Sequence, residues 1–327
     1  SCTRPLLETV VRQQVEALKN VTRISPYRVE ALIGDATAVT GVQYTHRHNK
    51  SETRRLLADL VVDASGRSSN APQWLVDLGQ PAPGLDIIDA KLGYATRRYK
   101  IPDGWNASWK VLLIGHEPPD NYQLGYLAQV ENDTFIATLG GYEQQYPPLD
   151  DEGFLAFAQQ LPAPDFYDAI AHATPVSPIK AYRSTANKLR RYDELAHMPN
   201  GFIALGDAVC ALCPAYGQGL TTSGMGAIAL RDWLASPNAD SLSFQKSLFK
   251  SIKPAWDVAT KSDSGFISAK GRLPKSPIEK LMSRYMKRLI TKSHTDSELN
   301  LMLAKISHMI DSPLKFFHPN VLIRTFS

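Results

Sequence analysis

The segment between Gly206 and Leu220 brings together residue types that suit the binding of a polar cofactor. Asp207 follows a short apolar stretch, residues 202–205, that predicts a strand, and a helix is predicted to begin near Leu220. An acidic residue at the end of such a strand can accept hydrogen bonds from vicinal hydroxyl groups, and free amides at the start of a helix stabilise an anion. An ordinary strand–loop–helix connection has the same spacing, so the pattern alone leaves both interpretations open.

The loop inside this segment has the stiffness and the space that a ligand site needs. Pro214 restricts the backbone, and Gly217 and Gly219 carry no side chain, so the chain there can approach a ligand closely. Further along, Gly224-Met-Gly226-Ala-Ile-Ala229 is a near match to the phosphate-binding pattern G-x-G-x-x-G. It lies within a predicted helix with no strand before it, so we reject it as a phosphate loop.

Composition predicts a folded chain of more than one domain. The chain has 327 residues, 43% hydrophobic and 21% charged, which at ~150 residues per domain favours about two domains. Its apolar runs fall far short of the ~20 residues that a membrane-spanning helix needs. Three cysteines, Cys2, Cys210 and Cys213, exclude a disulfide framework and favour a reducing compartment. No signal peptide is visible and the first residue is Ser1, so we expect a longer parent chain.

The net charge of +4 is unevenly distributed. Residues 246–327 contain 15 Lys and Arg against 6 Asp and Glu, a net charge of +9, and residues 1–245 carry a net charge of −5. We expect basic C-terminal helices with a solvated charged face, and peripheral contact with anionic lipid headgroups stays open as the alternative. Nucleic-acid binding has no support beyond charge, so we expect none.

Periodicity predicts a strand-rich first half and a helical end. One helix is expected at 5–18, and the first predicted strands are 21–25, 28–33, 38–46 and 56–64, with turns at 34–35 and 48–51. An antiparallel sheet of four strands is then expected at 87–99, 109–116, 122–130 and 135–141, followed by helices at 150–161 and 165–173. Residues 179–184 could add one more strand. The remaining predictions are a strand at 201–205 and helices at 220–234, 278–290 and 299–310.

Three segments resemble the motifs of one family, the FAD-dependent monooxygenases of the aromatic-hydroxylase and squalene-epoxidase type. Gly206-Asp207, with Pro214 and Tyr216-Gly217-Gln218-Gly219, resembles the second FAD-binding motif of that family. The family's middle motif resembles Asp59-Leu-Val-Val-Asp63-Ala-Ser-Gly66-Arg67-Ser-Ser69. Its arginine-bearing helix start resembles Ser1-Cys-Thr-Arg4-Pro-Leu-Leu-Glu8. Within the family, the chain is similar to bacterial FAD-dependent oxidoreductases of the polyether-epoxidase kind.

This resemblance implies an α/β (α+β) fold with a discontinuous cofactor domain. An incomplete, Rossmann-like FAD-binding domain would consist of residues 1–83 and 187–235. An inserted antiparallel β-sheet substrate domain would occupy 84–186, and a helical region would occupy 236–327. The family's opening strand with G-x-G-x-x-G is absent, so we expect the first βαβ unit to be missing.

The resemblance also implies the cofactors and the residues that bind them. FAD would be reduced by NAD(P)H, and O2 would give a flavin C4a-hydroperoxide that hydroxylates or epoxidises a small apolar organic substrate. Asp207 would lie at the ribityl or pyrophosphate region of FAD, and Arg4 would lie on its adenosine side. Under the isoalloxazine ring would lie Pro214, Gly217 and Gly219, with Leu220 at the helix start. The middle loop would contribute Asp63 and Gly66. No particular catalytic side chain and no metal is implied.

Two features of the sequence separate this chain from related flavoproteins. Cys213 stands where relatives usually have Asn. The tryptophan motif of flavin halogenases, W-x-W-x-I-P, is missing, which argues against halogenation. The pair Cys210 and Cys213 would form either a redox-active disulfide or, as we expect, two small buried side chains.

Other candidate residues are weaker. The rings of Trp109, Tyr122, Tyr126, Phe135 and Tyr142 lie on the predicted sheet and could line an apolar pocket or belong to the core. His46, His48, His172, His197, His294, His308 and His318 are expected to be surface or capping residues.

Two other functions stay open beside the monooxygenase. A flavin-dependent reductase or dehydrogenase of the isoprenoid type shares the V-D-A-S-G style of loop at residues 62–66. A truncated, cofactor-free binding module would follow from the missing phosphate loop. In each case we expect a cytoplasmic protein, with peripheral membrane contact as the open alternative.

Overall fold

The computed structural model describes residues 1–118, 120–236, 240–266 and 277–326. Within them, helices alternate with several small sheets, three of which are antiparallel, so the predicted mixed α/β class is confirmed. Of the region predicted to be helical, 236–327, residues 237–239, 267–276 and 327 lie outside the described residues. No helix in the described ranges is both long and apolar enough to cross a bilayer.

The chain opens with helix α1 (Arg4–Glu16). Thr3 caps the helix, because its hydroxyl accepts a hydrogen bond from the Leu6 N–H at 3.4 Å, and Pro5 occupies a first-turn position that needs no N–H partner. No residue of α1 is buried, so its apolar face is open to solvent.

The first sheet has three antiparallel strands, β1 (Tyr27–Gly34), β2 (Val39–His46) and β3 (Asn49–Leu57), in that order. Two of the predicted strands are confirmed. The predicted strand at 21–25 is wrong, because this segment is irregular, and the predicted turn at 48–51 is wrong, because β3 begins at Asn49. Strand β3 has a polar sequence with no apolar alternation, so pairing with β2 rather than periodicity defines it.

The second sheet is a pair of short parallel strands, β4 (Val61–Asp63) and β12 (Phe202–Ala204). The single strand predicted at 56–64 is therefore two strands, since β3 ends at Leu57 and belongs to the first sheet. Helix α2 (Ala71–Asp77), which periodicity did not indicate, follows β4, and its Ala71 and Leu75 are fully buried.

The large sheet is antiparallel, as predicted. Its strands are β6 (Gly93–Lys100), β7 (Val111–Ile114), β8 (Gln123–Val130), β9 (Thr134–Gly141) and β10 (Lys180–Tyr182), in the order β10-β6-β9-β8-β7. The strand predicted at 87–99 is divided: β5 (Gly84–Ile88) pairs with β11 (Asn187–Arg191), which also pairs with β13 (Cys210–Ala211). The domain limits proposed from sequence stay a prediction.

The two faces of the large sheet have different neighbours. On one face, rings such as Phe135 pack against α3 (Asp151–Gln159) and α4 (Asp165–Ile170). On the other face, Tyr94 and Tyr142 pack against Cys213 and Phe266. The second face therefore meets the loop after β12, residues 205–218, which resembles the second FAD-binding motif.

Helices α5 (Gly219–Leu234), α6 (Ser241–Asp263), α7 (Pro277–Ser293), α8 (Ser297–Ser307) and α9 (Pro319–Phe326) complete the described chain. The helices predicted at 220–234, 278–290 and 299–310 are confirmed. The rejected phosphate-loop match lies inside α5, where Gly226 is buried beside Leu205 and Leu248.

The turn before β12 gives a test of the parallel pair. A Cβ on Gly201 would lie 2.4 Å from the Val39 carbonyl oxygen, whereas a Cβ on Gly104, which has nearly the same positive φ, meets nothing within 4 Å. We expect Gly201→Ala to lower the free energy of unfolding by about 2 to 4 kcal/mol more than Gly104→Ala. Chemical denaturation measures both, and equal losses would show that the backbone contact at Gly201 does not matter.

Candidate functional site

The parallel pair places two loops side by side. Ala204 lies opposite Asp63, and the Leu205 N–H donates to the Asp63 carbonyl oxygen at 2.9 Å. Because the carboxyl ends of parallel strands share one edge, the loop after β4 and the loop after β12 leave the pair together. The two motifs that the sequence places far apart therefore form one site.

Asp63 orders the first loop. Its side chain is 5% exposed, and one carboxylate oxygen accepts hydrogen bonds from the Ser65 N–H at 2.9 Å and the Ser65 hydroxyl at 2.5 Å. The other oxygen accepts a hydrogen bond from the Ser69 hydroxyl. These contacts give Asp63 a structural role, and its predicted contact with a cofactor stays a prediction.

Arg67 fastens this loop to its neighbours. Its guanidinium donates to the Leu212 carbonyl oxygen at 2.8 Å and to that of Ala186. Arg190 in turn donates to the Arg67 carbonyl oxygen at 2.9 Å and to that of Ala208 at 3.0 Å. Two arginines thus fix the distance between the two loops, a role that the sequence did not reveal.

Asp207 is the one site carboxylate without a partner in the described part of the chain. It is half-buried, and neither a hydrogen bond nor an ion pair reaches its side chain. Gly66, at φ +86°, and Gly219 flank it: a Cβ on Gly66 would lie 4.0 Å from the Asp207 Cβ, and one on Gly219 would lie 3.8 Å from its Oδ1. The two glycines thereby leave space around an unpartnered carboxylate.

Burial and two neighbouring positive charges act on the pKa of Asp207 in opposite directions. Burial raises the pKa of Asp207 above its ordinary value, and the charges of Arg67 and Arg4 oppose that rise. Arg4 itself is exposed and pairs with Glu8 at 2.5 Å. Arg4 and Arg67 thus act on the Asp207 carboxylate, and Gly66 and Gly219 lie beside it, while the contact of these residues with a cofactor stays a prediction.

The remaining predicted residues form the turn into α5. Pro214 begins a short 3-10 turn that ends at Gly217, whose φ is +64° and beside which a Cβ would meet nothing within 4 Å. Helix α5 then begins at Gly219 without a side-chain cap, so its first N–H groups face outward without an intrahelical acceptor. Leu220 is 59% exposed, on the edge of a groove of about 660 Å³ that α1 and residues 21–24 line.

The cysteine pair has the surroundings of a core rather than of a redox centre. Cys210 and Cys213 are buried and free, and burial raises the pKa of each thiol to about 12. A disulfide-exchange reaction needs a thiolate, which these surroundings disfavour. In the described residues, no group of three or more His, Cys, Asp and Glu side chains has the geometry to bind a metal ion.

The aromatic candidates separate into two groups. Trp109 and Phe135 belong to the core under α3 and α4. Tyr122 and Tyr142 face Cys213 and Phe266, and the Tyr142 and Phe266 rings stack with centroids 4.1 Å apart. Of these two groups, the second adjoins the loop at residues 205–218, while Tyr126, at 36% exposure, belongs to neither cluster.

Two residues of this region escaped the sequence analysis. His116 packs against Tyr142 with ring centroids 4.5 Å apart, and burial lowers its pKa. Asp263 is 1% exposed at the end of α6, where it contacts Tyr216 and Asn187. An aspartate in a helical stretch is usually a surface residue, so no sequence signal distinguishes Asp263.

No protein-family model matches the chain. A curated relative, protein Rv3254 of Mycobacterium tuberculosis, is 31% identical over 273 residues, which cover 81% of this chain and 57% of the relative. The chain thus spans little more than half the length of the curated relative that it matches.

Solved structures of flavin-dependent enzymes share the fold. The flavin-dependent brominase Bmp2 matches with a TM-score of 0.63 at 14% identity, over 82% of this chain and 65% of the brominase. The flavin-dependent halogenase CmlS matches with a TM-score of 0.63 at 13% identity, over 89% and 54% of the two chains. A third match is pqsL, a probable FAD-dependent monooxygenase from Pseudomonas aeruginosa. Its TM-score is 0.56 at 20% identity, and the match covers 79% of this chain and 66% of pqsL. The chain has the fold of flavin-dependent halogenases and monooxygenases, which confirms the predicted fold class.

The unpartnered carboxylate predicts a pH-dependent stability. Because the pKa of Asp207 is raised in the folded protein, the folded state binds this proton more tightly than the unfolded chain, and stability falls as the pH rises through that pKa. We expect Asp207→Asn to unfold at a higher temperature than the wild type at about pH 8, with the difference shrinking towards about pH 4. Thermal denaturation across this range, with the exposed Asp103→Asn as control, measures the effect; a destabilised variant at high pH would contradict it.

Proposed function

We propose that this chain forms most of an FAD-dependent oxidoreductase, and that the enzyme is a monooxygenase that hydroxylates or epoxidises a small apolar organic substrate. The observation that carries the proposal is Asp207, an unpartnered carboxylate held between two glycines where the loops after β4 and β12 meet. A half-buried charge without a partner is costly, and cofactor hydroxyl groups are donors that would satisfy it.

The residues present fit FAD. Asp207 would accept hydrogen bonds from its ribityl or ribose hydroxyls, and Arg4 and Arg67 add positive charge near that carboxylate. The uncapped start of α5 at Gly219 and Leu220 would stabilise an anionic part of the cofactor. The space beside Gly217 and Gly219 would let a flat ring approach the backbone.

The redox chemistry is what FAD supplies when bound: hydride uptake from NAD(P)H and, with O2, oxygen transfer. The protein's own contribution is to bind, to orient and to exclude water. Tyr142 and Phe266 are buried beside the cofactor-binding loop, so they would shield this side of the site from water. Their apolar faces favour an apolar substrate.

The predicted partners outside the site stay predictions. Helix α7 carries Ile278 and Leu281, both exposed, next to Lys280 and Arg284, which suits contact with an anionic membrane surface as well as with water. We propose a cytoplasmic protein that binds no nucleic acid, and peripheral membrane contact through the basic C-terminal helices stays the open alternative.

Cofactor retention tests the assigned site. We expect Asp207→Ala to weaken FAD binding by at least ~100-fold, about 3 kcal/mol, because the charge-assisted hydrogen bonds to the cofactor are lost. The measurement is the flavin absorbance that stays with the purified complete parent protein, titrated with FAD, and Asp103→Ala is the control. Unchanged FAD occupancy in Asp207→Ala would place the cofactor elsewhere, and a colourless wild type that FAD cannot load would favour a binding module.

Oxygen uptake tests the reaction class. With FAD bound, we expect NAD(P)H oxidation to consume O2 and to accelerate when an apolar substrate is added. An oxygen electrode and a peroxide assay measure uptake and uncoupling. NAD(P)H oxidation with neither O2 uptake nor peroxide would identify a reductase or dehydrogenase instead.

A further inference from the structure

A further buried carboxylate, Asp263, contacts Tyr216, which lies at the far end of the loop that begins with Asp207. It ends helix α6 and is 1% exposed. Its Oδ1 accepts a hydrogen bond from the Tyr216 hydroxyl at 2.5 Å, and its Oδ2 accepts one from the Asn187 Nδ2 at 2.6 Å. Among the described residues no cation pairs with it, and its two hydrogen-bond donors there are neutral.

This position is unfavourable for an ionised group. Burial raises the pKa of Asp263 to about 6, although the Tyr216 and Asn187 hydrogen bonds oppose the rise. The negative end of the α6 dipole acts in the same direction as burial. The titratable groups that face it from the packed elements are Tyr216 and Cys213 in the loop, Tyr94 in β6, Tyr142 after β9 and Asp89 after β5.

Two tyrosine hydroxyls beside this carboxylate lack a well-formed hydrogen bond among the described residues. The hydroxyl oxygens of Tyr94 and Tyr142 are buried, and neither forms a hydrogen bond of standard geometry with a described residue, although Tyr94 lies beside the Cys213 thiol and Tyr142 beside the Tyr216 hydroxyl. Tyr142 adjoins Tyr216, since each acts on the pKa of the other. Buried polar atoms are nearly always hydrogen-bonded in folded proteins, so these two indicate a group that binds between them.

The direction of the hydrogen bonds determines where a proton can be placed. The Asn187 Oδ1 accepts the Cys213 N–H at 2.7 Å, so the Asn187 amide must present its NH2 group to Asp263 Oδ2. A proton on Oδ2 would therefore face another donor. On Oδ1, a proton reverses the hydrogen bond to Tyr216, whose own hydroxyl hydrogen must then turn to a new acceptor.

From this arrangement we propose that Asp263 and Tyr216 form a proton-exchange site, in which Asp263 holds the proton and Tyr216 passes it to an oxygen or nitrogen atom of a flat, unsaturated compound bound beside Tyr94 and Tyr142. The identity of that compound as a substrate rests on the proposed function. Asp263 acts through Tyr216 and is a positioning and proton-holding residue, whereas Tyr216 is the group that would touch the compound.

The transfer balances without any redox step. The Asp263 Oδ1–H bond breaks as its proton bonds to the Tyr216 oxygen, and the original Tyr216 O–H bond breaks as its proton moves to the acceptor atom. Asp263 ends as a carboxylate, Tyr216 ends neutral, and the acceptor gains one proton. The reverse sequence takes a proton from the bound compound and stores it on Asp263.

Hydrogen–deuterium exchange at the carboxyl group tests this site without cofactor or activity. At about pH 5, Asp263 is protonated in the wild type, and its C=O stretch is identified as the infrared band that is missing in Asp263→Asn. After rapid mixing with D2O, that band shifts to lower frequency. We expect the shift to be about tenfold slower or more in Tyr216→Phe, because a residue that is 1% exposed then loses its route for protons.

Matched variants make the outcome decisive. Tyr122→Phe, in the same aromatic cluster but without contact to Asp263, should exchange at the wild-type rate. If Tyr216→Phe does not fold, Tyr142→Phe, which leaves the Asp263–Tyr216 contact in place, should slow the exchange instead. Equal rates in wild type and in the folded Tyr216 or Tyr142 variant, or no band that disappears in Asp263→Asn, would overturn the proposal.

A second measurement separates this proposal from the proposed function. In the FAD-loaded protein, the pH profile of turnover should have an inflection near pH 6, where Asp263 titrates, that is lost in Asp263→Asn and kept in Asp257→Asn on the same helix. An inflection that persists in Asp263→Asn would overturn the role of the site in turnover. A protein that binds no FAD would refute the proposed function alone, because the exchange experiment does not depend on the cofactor.

Discussion

The parallel pairing of two three-residue strands is the contact on which the site depends. Strands β4 and β12 come from distant parts of the chain, and only their register, with Ala204 opposite Asp63, brings the two motif loops to one edge. So short a pair has few hydrogen bonds of its own. Its stability comes from burial: Phe202, Ile203 and Ala204 are fully buried. The hydrophobic core therefore sets the geometry of the polar site above it.

Three carboxylates in this region show how one side chain takes different roles in different surroundings. Asp63 accepts hydrogen bonds from its own loop, so its charge is satisfied and its function is structural. Asp207 has no partner in the described residues and space around it, so it is available to a ligand. Asp263 is bonded to two neutral donors in a buried position, and burial raises its pKa to about 6, closer to neutral pH than its ordinary value.

Local pattern and resemblance predicted much of the fold, and packing decided the rest. Strands with alternating apolar residues, such as β8 and β9, are visible in the sequence because one face is buried. Strand β3 is polar and owes its existence to β2, and the split between β5 and β6 depends on β11, a partner about a hundred residues away. Asp207 was identified from its position after a strand, whereas Asp263 acquires its character only from what α6 packs against.

The loop between Asp207 and Tyr216 links the two unusual carboxylates. Cys210 responds to the charge of Asp207 and Cys213 to that of Asp263, while Arg67 acts on both thiols. Since each thiol stays protonated beside a carboxylate, the loop interior is neutral and carries its charges at its two ends. Arg67, Arg190 and Asn187 hold this segment of ten residues in place, so the fold itself fixes the positions of the two carboxylates at its two ends.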